Sequence, residues 1–147
     1  MIKLTNKPID PHRYMPLVGK DINGAIVTFL GTTRLYNNGR KVLHLEYSAY
    51  KDMASKKLRE LCTEVEHRWS IADVAIIHRL GHVDIGEISL LVALSTPHRR
   101  EAFEACQYIV DKLKITVPIW KKEVFEDGYA WIGSEECDDS TETRHSL

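Results

Sequence analysis

The stretch "DKLKITVPIWKKE", residues 111–123, sets Lys112, Lys114, Lys121 and Lys122 around an apolar run that ends in Pro118, Ile119 and Trp120. Lys114 and Lys121 stand seven residues apart, with only apolar residues, a threonine and a proline between them. Ammonium groups beside a stretch that reads as core are suited to binding anions. Lys112 and Lys114 close a helical pattern, where cations suit the negative end of the helix dipole, so they also have a structural reason to be there. Lys121 follows "PIW" at the head of a strand pattern and has less structural excuse. Successive strand residues face opposite sides, so Lys121 and Lys122 are expected in different environments, one on the surface and one lining a pocket.

Two further groups of cations have spacing that matters. His98, Arg99 and Arg100 fall at the start of the helical pattern "TPHRREAFEACQYIVDKLK", with Thr96 as the expected N-cap and Pro97 at the first helical position. Cations oppose the positive end of the dipole, and a bound anion would resolve that conflict; side chains pointing into water would equally relieve it. Arg34 ends the strand pattern "FLGTTR", where Gly31 allows close backbone approach and Thr32 and Thr33 offer hydroxyls to an oxyanion. A lone arginine there is ordinary surface; it gains meaning in company. Arg99 and Lys114 are fifteen residues apart on one helix, about 22 Å at the helical rise. They cannot grip one small anion from a single chain, so a shared site requires a second copy.

Other chemistries find little support. There is no Walker A motif, no GxSxG and no CxxC. His78 and His82 in "HRLGH" are four apart on a segment that reads as strand and turn, without further ligands at zinc-like spacing, so no metal site is expected. Cys62 and Cys106 occupy apolar helical positions and read as buried filler, while Cys137 lies in a polar tail. An odd number of cysteines without metal or redox spacing suits reduced thiols.

The elements that must position these residues follow from periodicity. "GAIVTFLG" reads as a buried strand, Asn38-Gly39 as a turn, and "VLHLEYSAY" as a strand. "KDMASKKLRELCTEVEHRW" lines up Ala54, Leu58, Leu61, Cys62, Val65 and Trp69 on one helical stripe. "DVAIIHRLGHVDIGEISLLVALST" reads as two strands joined through Gly81 and Gly86. Ala102, Cys106, Ile109 and Leu113 form the buried stripe of the second helix, with Phe103 and Val110 beside it. "ITVPIWKKEVF" and "YAWIG" close the pattern as strands. The order β-β-α-β-β-α-β-β predicts an α+β fold, two helices on a largely antiparallel sheet. A single domain is expected over residues 1–133, followed by a polar, acidic tail at 134–147 expected to be disordered.

A formal charge of −1 provides no global field for nucleic acid or an anionic membrane, so attraction for anions must be local. No apolar run approaches a membrane span, and the N-terminus lacks the layout of a signal peptide; a cytoplasmic protein is expected.

In this order "GAIVTFLGTTR", "LEYSAYKDMA", "IIHRLGHVDIGE", "HRREAFEACQYIVDKLK" and "PIWKKEVFEDGYAWI" resemble the large, catalytic subunit of molybdopterin synthase, over residues 24–132. The resemblance implies an α/β-hammerhead type of α+β domain and a sulfurtransferase of molybdenum cofactor biosynthesis. Such an enzyme turns cyclic pyranopterin monophosphate into the molybdopterin dithiolene. Its two sulfurs arrive as a thiocarboxylate on the C-terminus of a small ubiquitin-like subunit, and the large subunit is a homodimer within a heterotetramer. No cofactor is implied. By the same resemblance Lys114 and Lys121 are the catalytic lysines, and Thr32, Thr33 and Arg34 the substrate-binding strand end. His98 and Arg99 come from the neighbouring protomer, and Lys122 and Glu123 adjoin the site. Clustered cations and partial burial should bring a lysine pKa toward the operating range.

Two rivals stand beside this reading. One makes Cys62 or Cys106 a persulfide carrier. The other is a non-enzymatic module that docks a ubiquitin-like protein through its basic groove, which would not need cations from so many separate points of the chain.

Overall fold

The structure, a computed structural model, describes residues 1–132; the expected acidic tail lies outside the described residues. One sheet has the order β1-β5-β7-β2, from β1 (Ile2–Thr5), β5 (Val74–Arg79), β7 (Ile88–Thr96) and β2 (Ala25–Thr32). In it β1 runs parallel to β5, and the other pairings are antiparallel. The second sheet runs β3-β4-β8-β9, from β3 (Tyr36–Asn37), β4 (Arg40–Ala49), β8 (Ile119–Phe125) and β9 (Gly128–Ile132), and β6 (Gly81–Asp84) also pairs with β4. The α+β class holds. Its two expected helices are α2 (Lys51–Trp69) and α3 (Arg99–Thr116).

Four elements exceed the expected order, the two-residue β3 beside the Asn38-Gly39 turn among them. The N-terminal residues form β1 and a short helix, α1 (Pro11–Val18), opened by Pro11 and by Asp10, whose carboxylate accepts from the His12 N–H at 3.1 Å. The Gly81–Gly86 connection contains β6, a strand that starts at Gly81 itself, with φ +81°, a conformation glycine adopts without strain.

The inner strands β5 and β7 are buried on both faces, which is why they read as continuous apolar runs, whereas β2, expected to be buried, exposes Ile26 and Leu30 at the sheet edge. Ile76, Leu90, Val92 and Leu94 share a core with Ala54, Leu58 and Val65 of α2 and with Ala102, Ile109 and Leu113 of α3. Ala75, Ile77, Leu91 and Ala93 share the core of Tyr14 and Val18 from α1. A third core, with Val42, Leu45, Tyr47, Val83 and Phe125, belongs to the second sheet.

Two local expectations are corrected. Thr96 ends β7 and caps nothing: its hydroxyl donates to the His98 carbonyl at 2.5 Å, His98 is the N-cap residue, and Pro97 stays outside the helix. Phe103 is 63% exposed, because the α3 stripe against the sheet runs through Ala102, Ala105, Cys106 and Ile109. Asn38 and Gly39 take φ of 49° and 76°, as a two-residue hairpin turn requires.

Candidate active site

The site forms where the first sheet's β2 ends and the second sheet begins. Thr33 leaves β2 buried, its backbone N–H donating to the Glu87 carbonyl at 3.1 Å, while its carbonyl accepts from the Gly86 N–H at 2.9 Å. Glu87 is itself held: its carboxylate accepts from the Asp84 N–H at 2.8 Å and pairs with Arg79 at 3.0 Å. Together these keep its carboxyl below the usual range, the Asp84 N–H contributing most. This brace fixes where Arg34 emerges.

Across the gap, β8 alternates as the pleat demands. Lys121 and Glu123 point inward and are 8% and 1% exposed; Lys122 points the other way. Thr32, Thr33, Arg34, Asn37, Lys121 and Glu123 line one cavity, with Val42 and Leu45. An adjoining cavity shares Thr32 and Arg34 and adds Phe29, Gly31, Ser89 and Lys114. Lys114, in the last turn of α3, thus joins Lys121 through Arg34 although a helix end and a strand supply them.

Burial is the main force on Lys121, bringing its pKa down to about 8. The Glu123 carboxylate opposes that shift, and the charges of Arg34 and Lys114 add to it. Glu123 is anchored by Asn37, whose side-chain amide donates to both carboxylate oxygens at 2.7 and 3.0 Å. A lysine titrating near 8 has both amine and ammonium forms accessible around neutral pH, as a group that moves protons requires.

The other candidates fall elsewhere. Lys122 lies on the opposite face of β8, 3.3 Å from a Glu46 oxygen and 4.3 Å above the Tyr129 ring. His98 and Arg99 are exposed at the far end of α3 from Lys114, so within one chain they do not meet the cavity. Cys62 and Cys106 are buried in the core between α2, α3 and the sheet, and burial pushes both thiols up to about 11. Asn37 was foreseeable only as a turn residue; nothing local in the sequence marks it as the partner of a buried carboxylate.

This arrangement has relatives. The family model described as "MoaE protein" matches residues 4–116. The chain is 44% identical over 133 residues to the molybdopterin synthase catalytic subunit of Bacillus subtilis, covering 90% of this chain and 85% of that protein. It is 40% identical over 137 residues to that of Homo sapiens, covering 93% and 73%. The crystal structure of molybdopterin synthase from Staphylococcus aureus superposes with a TM-score of 0.83 at 39% identity, over 87% of this chain and 93% of that one. With matches of this extent, reaching twenty residues further toward the N-terminus than the motifs alone, the chain belongs to the molybdopterin synthase catalytic subunit family.

Proposed function

We propose that Lys121, Lys114 and Arg34 carry the sulfur-transfer chemistry of this family on a phosphorylated pterin. The observation that carries the assignment is Lys121, buried between a carboxylate and two further cations, with a pKa near 8. Cyclic pyranopterin monophosphate and a thiocarboxylate are both anions, and the two joined cavities present cations to each. Arg34 and Lys121 orient the thiocarboxylate and the pterin, with the hydroxyls of Thr32 and Thr33 beside them. Lys114 stabilises developing negative charge or passes a proton, and Glu123 tunes Lys121.

The sulfur donor is the thiocarboxylated C-terminus of a small ubiquitin-like subunit; the relatives' own description as a catalytic subunit supports a partner chain. His98 and Arg99 of a second copy complete each site by anchoring the phosphate at the α3 N-terminus. Lys122 serves at most at the rim. The described residues contain no helix long and apolar enough to cross a membrane. A cytoplasmic location agrees with the free, buried thiols.

Reconstitution tests the reading. The purified chain, a thiocarboxylated small subunit and the cyclic precursor should yield the dithiolene pterin. Lys114→Ala and Lys121→Ala should each lower turnover by about 10²-fold or more while still binding the partner. Turnover retained in both variants would remove the lysines from the chemistry.

A further inference from the structure

On the outer face of the second sheet, away from the cavity, a different set of side chains converges. Among the described residues one group of potential ligands, His44, Glu46 and His82, brings its donor atoms within 4.8 Å of one another. The convergence is written into the strand ladder. Glu46 on β4 is the direct cross-strand partner of His82 on β6, and His44 lies two residues along β4 on the same face. The β4–β8 register shifts between Val42 and His44, so Val42 points into the core while His44 points out beside Glu46.

Three details suit this group to a cation. The His44 and His82 rings stack with centroids 4.1 Å apart. Stacking sets two imidazoles side by side, and the neutral imidazole is the form that ligates metals. The Glu46 carboxylate is divided: one oxygen lies 3.3 Å from Lys122, and the other lies 3.7 Å from His44 Nε2. Asp84 holds His82 through Nε2 at 2.5 Å, which fixes the ring and leaves Nδ1 with its lone pair for an ion. That is the carboxylate-histidine pairing typical of metal-bound imidazole.

We propose that His44, Glu46 and His82 bind a late first-row divalent cation of the zinc class, with Asp84 orienting His82. Two imidazoles and one carboxylate select zinc, nickel or copper over magnesium or calcium, and leave a coordination position open. The earlier expectation of no metal site considered His78 and His82. Those two diverge: His78 is buried on β5 against Tyr47, and the actual neighbour of His82 comes from another strand.

The test is titration of the full chain, freed of metal by chelation, with zinc by calorimetry and with cobalt by absorption. Wild type should bind one zinc per chain saturably, undisturbed by excess magnesium. His44→Ala, His82→Ala and Glu46→Gln should each weaken binding about tenfold or more. Their side chains face solvent, and an unchanged melting curve will establish that each variant is folded. Saturable binding that survives in His44→Ala and His82→Ala would place the ion on other ligands and overturn the site, as would absence of binding to wild type at micromolar zinc.

Discussion

The Asn37 amide donates to both oxygens of the Glu123 carboxylate, and the two residues are 8% and 1% exposed. This carboxylate lies beside Lys121, and its charge works against the desolvation of the lysine. Asn37→Leu should strip that carboxylate of its donors and destabilise the fold by about 2 kcal/mol, read from urea unfolding at neutral pH.

Glu123→Gln keeps the shape but removes the charge. Because Glu123 raises the Lys121 pKa, the variant should titrate Lys121 below its present value near 8. Amine-directed NMR on the partner-free protein gives the value directly. An unmoved or higher pKa would show that the carboxylate does not act on the lysine.

Lys121 also gives stability a pH dependence with a definite sign. Its folded pKa, about 8, lies below the unfolded value of 10.5, so between these values the unfolded chain binds more protons. Stability should therefore rise as pH goes from 8 toward 10.5, by at most about 3 kcal/mol. Denaturant unfolding at both ends of that window, in wild type and Lys121→Met, checks it: the variant should lose this increment.

His78 produces the same sign in a lower window. Buried neutral, with its pKa pushed down to about 4 by desolvation, it is protonated more readily unfolded than folded. Its contribution is complete above the unfolded pKa of 6.5 and fades as pH falls toward 4. Acid unfolding of a folded His78→Asn variant should be less steep across that interval.

The proposed composite site makes a prediction about mixtures. Lys114→Ala and Arg99→Ala should each be inactive alone. Re-assorted in equal amounts, half the dimers would pair one of each, and every such dimer would have one intact site of two. About a quarter of wild-type activity should return. No recovery despite proven exchange would mean that Arg99 serves its own chain's lysine or none.

Cys62→Ala and Cys106→Ala should leave sulfur transfer intact. Each thiol is buried and held near 11, far from the thiolate that a persulfide carrier needs. Their cost should appear only in stability, at about 1 kcal/mol each.

Short-range features are the legible ones. The stripes of α2 and α3 and the Asn38-Gly39 turn depend on residues close in the chain, where periodicity and φ preferences act. The alternation of Lys121 and Lys122 was equally readable, because a pleat has only two faces. Elements set by distant partners were hidden. β1 is four residues long and exists because β5 accepts it in parallel. β6 looks like a loop between two glycines until Leu45 and Glu46 of β4 pair with it. The Thr96 cap followed a sound local rule, but β7 continues through Thr96 to pair with Ala25, so the helix starts later. Glu123 is placed beside the site by the resemblance alone; Asn37 makes its burial tolerable, and no spacing rule connects the two.

The pairing of Tyr47 with Lys121 has a consequence for how the protein is made. Every strand of the first sheet, and both helices packed beside its larger core, precede Ile119 in the chain. During synthesis these can assemble while β4 still waits with one edge bare, since its neighbour β8 follows all of them in the chain. The buried lysine is thus born late, onto a scaffold already standing. A product that ends before Ile119 would have most of its architecture but neither Lys121 nor Glu123, and the bare edge of β4 is where a chaperone would first find it.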